Sequence, residues 1–103
     1  MGVLNNYVTL PPNTPVRMRL KNPRIEERQI RDPKTGLTKT VRALVFDVYE
    51  LNGTPGHWIF STLSEKLATQ LMALWERGIL QEHAVEITRI PRDFATEYEV
   101  RVI

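Results

Sequence analysis

The chain has 103 residues, 42% hydrophobic and 25% charged, with no cysteine. That length suits one domain, and the composition disfavours disordered, collagen-like and membrane-spanning classes. Without cysteine there are no disulfides, thiolate metal sites or cysteine nucleophiles, and the net charge of +2 permits a polyanionic partner without demanding one. The distribution is more telling: residues 16–42 hold nine Lys or Arg against three acids, a local excess of +6. The N-terminus lacks a basic segment followed by an apolar run and no apolar stretch is long enough to span a membrane, so the expected location is cytoplasmic, with no membrane partner.

Residues 11–15, Pro-Pro-Asn-Thr-Pro, fix φ and remove amide donors, so residues 1–15 read as an extended arm and residues 16–103 as one domain. Val16 to Lys21 alternates apolar and basic side chains, the period of a half-buried strand, with Arg17, Arg19 and Lys21 facing out. Asn22-Pro23 marks a break or bulge, after which Arg24 to Arg31 resumes the strand. Asp32-Pro33-Lys34-Thr35-Gly36 then makes a hairpin turn. The return strand, Leu37 to Leu51, has two candidate core phases, Leu44, Phe46 and Val48 or Val41, Ala43 and Val45. A bulge near Ala43 would let both sets point inward in turn.

Asn52-Gly53 is a strong hairpin signal leading into a third strand, His57 to Ser61. Thr62-Leu63-Ser64-Glu65 has the spacing of a capping box, and Leu63, Leu67, Leu71, Leu74 and Trp75 form one apolar face. A helix is therefore expected over 62–77, closed by Gly78. Ala84 to Ile90 and Tyr98 to Ile103 alternate as two further strands joined by residues 91–97.

The order strand, strand, strand, helix, strand, strand resembles the OB-fold over roughly residues 15 to 103, by element order and turn positions alone. The resemblance implies a mainly β, five-stranded Greek-key barrel with its helix between strands 3 and 4, binding ligands across strands 2 and 3 and the first and last hairpin loops. It further implies non-enzymatic binding of single-stranded DNA or RNA, with little sequence specificity, by aromatic stacking in a basic groove. Carried onto this chain, the stacking candidates are Phe46, Tyr49, Trp58, Phe60 and Phe94. The phosphate candidates are Arg17, Arg19, Arg28, Arg31, Lys34, Lys39 and Arg92.

Each feature has a structural alternative. Trp58 and Phe60 share one face of a short strand and are either a stacking platform or a core pair, depending on whether Ile59 points inward. Trp75, on the apolar helix face, belongs to the core. The row of Arg17, Arg19 and Lys21 reads equally as a solvated strand face. His57 and His83 lack partners at metal-ligand spacing, the carboxylates form no recognisable cluster, and there is no phosphate-binding glycine loop or nucleophile elbow. The expectation is thus no catalytic residue, metal or cofactor. The alternative function is a protein-interaction or assembly module on the same barrel, and a homodimer suits either reading.

Overall fold

The computed structural model describes residues 6–93 and 95–103. Its strands are β1 (Val16–Arg31), β2 (Thr38–Leu51), β3 (Thr54–Thr62), β4 (Val85–Pro91) and β5 (Thr96–Val102), with helices α1 (Glu65–Glu76) and α2 (Ile79–Glu82) between β3 and β4. The protein is mainly β. All five strands join one antiparallel sheet in the order β3-β2-β1-β4-β5. Among the described residues β3 and β5 do not pair, so the sheet is open where a barrel would close.

β1 changes partner along its length. It pairs with β4 at Val16–Met18 and with β2 from Met18 onward. The register shifts between Lys21 and Arg24, where Asn22 takes a left-handed φ of 55° and Pro23 supplies no amide donor. β3 pairs with β2 no further toward the turn than Leu44. Beyond that point β1 and β2 continue as a two-stranded ribbon, Glu26–Arg31 against Thr38–Ala43. The turn matches its sequence: Asp32 accepts from the Lys34 amide at 2.8 Å, and Gly36 has φ 74°.

The core lies between the inner sheet face and the helices. Alternation turns Val16, Met18 and Leu20 of β1, Leu44, Phe46 and Val48 of β2, and Val85 and Ile87 of β4 toward Leu67 and Leu71 of α1. Phe46 meets Trp75 edge-on at 6.1 Å between ring centroids, which places Trp75 against the core.

The bulge that the length of β2 calls for is not near Ala43. Pairing runs unbroken from Arg24 opposite Val45 to Arg31 opposite Thr38, and the shift in β2 falls at Tyr49, between Val48 and Glu50. Ala43 and Val45 are nevertheless buried, on the outer face. The helix also starts later than expected. Ser64, not Thr62, is the N-cap, its hydroxyl accepting from the Leu67 amide at 3.2 Å, while Thr62 ends β3 buried and accepts from the Ser64 amide at 3.0 Å. Gly78, at φ 77°, closes α1 and opens the single-turn α2, which the sequence reading did not anticipate and which carries Leu80 into the core. No helix among the described residues is long and apolar enough to cross a membrane.

The arm docks on the sheet. Ile59 N–H donates to the Asn6 carbonyl and Val8 N–H to the Ile59 carbonyl, both at 2.8 Å, so residues 6–8 occupy the outer edge of β3. Farther along, Arg89 Nε donates to the Leu10 carbonyl and the Asn13 amide to the Arg89 carbonyl, each at 2.8 Å. Val8 and Leu10 pack against the core, and the arm thereby links β3 to β4 across the open side of the sheet.

Candidate nucleic-acid interface

Strand register sorts the polar side chains. Residues paired across antiparallel strands share a face, so Arg24 opposite Val45, Glu26 opposite Ala43 and Arg28 opposite Val41 face away from the core, as do Asp47, Ile59 and Ser61. Below the bulges, Arg17, Arg19 and Lys21 alternate with the core residues Val16, Met18 and Leu20 and join the same outer face. Tyr49, displaced by its bulge, reaches this face as well: the Lys21 ammonium sits 5.6 Å from its ring centroid. A second aromatic comes from the arm, where the Arg28 guanidinium lies 6.0 Å from the Tyr7 centroid.

The charges on this face are partly tied to one another. Arg19 Nε pairs with Glu50 at 3.2 Å, Arg24 bridges Glu26 at 3.3 Å and Asp47 at 3.1 Å, and Arg28 reaches Glu26 at 3.6 Å. Arg17 and Lys21 form no ion pair among the described residues. The Tyr49 side chain first, and then Glu50, strengthens the hold of Arg19 on its proton. The amide of Asn22, donating at 2.9 Å, and then Arg24 hold the Asp47 carboxyl below its ordinary value, so this carboxylate is a fixed acceptor in the middle of the face. Arg28 also donates to Ser61 on β3 at 3.4 Å, which carries its stem across β2 above Ala43. Long stems of this kind bury the small apolar residues beneath them.

The structure redistributes the residues expected from sequence. Phe46 and Phe60 are 0% and 2% exposed, so neither can receive a base while the core is intact; β3 presents Phe60 inward and Ile59 outward. Trp58 shares the inner face with Phe60, half-buried, its ring lying over Gly56 so closely that a Cβ there would stand 2.6 Å from it. Tyr49, Arg17, Arg19 and Arg28 lie together on the outer face. Arg31, Lys34 and Lys39 are exposed at the ribbon's far end. Arg92 stands apart on the β4–β5 connection, paired with Glu97 at 3.2 Å, and Phe94 lies outside the described residues.

Tyr7 and Arg24 belong to this face without having been among the candidates. Arg24 had a local signal, since it follows the Asn22-Pro23 break at which the strand resumes. Tyr7 had none, because its β3 neighbour Ile59 is 52 positions away. The outer face of β4 and β5 is different: Glu86, Glu97 and Glu99 share it with Arg101. No family model, curated protein or solved structure matches this chain.

Proposed function

We propose that the protein is a non-enzymatic binder of single-stranded DNA or RNA with little sequence preference, acting through the outer face of β1, β2 and β3. The observation that carries the reading is the pair of tyrosine rings on that face, each with a cationic side chain beside it. Bases stack on Tyr49 and Tyr7, while Arg17, Lys21, Arg24 and Arg28 meet phosphates and Lys34 and Lys39 extend the cationic path along the ribbon. The predominantly acidic face of β4 and β5 repels a polyanion and confines it to the basic side. An OB-like reading of the fold is supported by the succession β4-β1-β2-β3, the Greek-key order of three hairpin-linked strands with a fourth returned beside the first. On that reading the docked arm stands where β3 and β5 would otherwise close the ring.

The test is a fluorescence-anisotropy titration of labelled oligothymidine and oligouridine at low and high salt. Affinity should fall steeply with salt, as phosphate contacts require. Tyr49→Ala should weaken binding by about 1–3 kcal/mol, roughly 5- to 150-fold. Absence of binding at low salt, or an affinity indifferent to both salt and Tyr49→Ala, overturns the proposal.

A further inference from the structure

The underside of the ribbon differs in kind from its outer face. Ile25, Glu27, Gln29 and Arg31 alternate along β1 on the same face as core residue Leu44, in unbroken register. Ile25 is 59% exposed, and across the cavity from it Leu63, just before α1, is 52% exposed. The cavity they line measures about 660 Å³ and is also lined by Leu44 and Ala68 and by the polar Thr40, Arg42 and Glu65. Leu37, where the ribbon turns back, is 69% exposed. Whereas Arg24 and Arg28 on the outer face are held by carboxylates, Glu27 and Arg31 make no ion pair among the described residues. A two-stranded ribbon without a third strand is marginal alone, and the exposed Ile25, Leu63 and Leu37 around its underside call for cover.

The order of side chains indicates what covers it. Read along β1, the underside runs apolar, acidic, neutral, basic. Two such ribbons packed face to face and antiparallel, with a two-fold axis at Gln29, set Glu27 of each copy opposite Arg31 of the other and bring the two Gln29 amides together. Each turn, with Pro33 and Leu37, then reaches toward Ile25 and the cavity of its partner. A closed two-fold contact requires a patch complementary to itself, and the β1 row meets that requirement: Glu27 lies between Arg42 of its own copy, its neighbour on β2, and Arg31 of the other, while Thr40 and Thr38 complete the face. Eight strand residues span about 27 Å, and ribbon plus helix flank about 20 Å, so the contact covers on the order of 500 Å² per copy, near the lower limit for a specific interface. We infer that the underside of the β1–β2 ribbon is a homodimer interface, formed by antiparallel packing of the ribbons of two copies about Gln29. It uses the opposite ribbon face from the proposed nucleic-acid surface and does not depend on that reading.

The experiment is sedimentation velocity of the full chain, without nucleic acid, over about 1–100 µM, a range that captures a specific interface of this size. The expected species has twice the 12.0 kDa chain mass. Glu27→Arg sets like charges opposite each other and should weaken the dimer at least tenfold, and combining it with Arg31→Glu should restore it. Ile25→Ala should weaken the dimer while its melting curve at submicromolar concentration, where both proteins are monomers, stays close to that of the parent, and it decides the matter if Glu27→Arg fails to fold. A monomer throughout the range overturns the inference. So does a dimer that tolerates Glu27→Arg or Ile25→Ala, or one that the charge exchange does not rescue.

Discussion

On the inner face of β2, Leu44, Phe46 and Val48 are buried by other apolar side chains, whereas on the outer face Ala43 and Val45 are buried beneath charged ones. The inner set faces Trp75, Leu67 and Leu71, and its burial is ordinary core packing. The outer set lies under Arg24, Glu26 and Arg28, with Tyr7 beside Arg28. Burial by long charged stems leaves their polar ends in water, available to bind, so a strand sealed on both sides can still present a working surface. Low exposure alone therefore does not distinguish the core from the charge-covered outer face in this sheet.

The comparison is broken most severely by removing the largest inner side chain. Phe46→Ala deletes a fully buried ring and its edge contact with Trp75, and should cost about 3–5 kcal/mol in chemical denaturation. The midpoint should fall with little change in slope. Because Trp75 is the ring's partner, its fluorescence should change in the native state of the variant. A loss below about 1 kcal/mol would mean that Phe46 lies in a site able to collapse around it, contrary to the packing described.

An intermediate effect tests the outer cover. Arg28→Ala removes the stem that crosses β2 and should cost about 1 kcal/mol. Arg28→Met keeps most of the stem and loses the charge. If cover is what matters, Met retains most of the stability while still weakening the proposed nucleic-acid binding. If the contacts with Glu26 and Ser61 matter instead, Met and Ala cost the same.

The same two-sided burial explains what could be read from the sequence. The five strands, their order along the chain, the first hairpin turn and the Asn22-Pro23 break were all legible, because Pro, Gly and Asn act locally. The phase of β2 was not, since both of its alternating sets are apolar and the sequence does not say that arginine stems cover one of them. For β3 the choice between Ile59 and the Trp58, Phe60 pair rested on a phase that a short strand beside a hairpin does not fix. The helix start was misplaced because the spacing from Thr62 to Glu65 imitates a capping box; Thr62 instead spends its hydroxyl on the Ser64 amide at the end of β3, and Ser64 caps the helix. The place of Tyr7 depended wholly on a long-range pairing.

The smallest effect concerns Asp47, among the described residues the one carboxylate hydrogen-bonded by both a side-chain amide and a guanidinium. Its carboxyl is held below the ordinary value of 3.8, chiefly by Asn22, so the folded protein binds that proton less readily than the unfolded chain. The resulting stabilisation is fully present above the unfolded value and is lost as pH falls through the lower folded one. Asp47→Asn removes this contribution. Stability measured by urea denaturation should be somewhat lower in the variant at neutral pH, and the two profiles should converge as pH drops below about 3.8. A constant gap down to pH 2 would assign the effect to geometry at the bulge instead of to ionisation. Convergence would show that the carboxylate at the centre of the basic face is held there by its charge, as Arg24 requires.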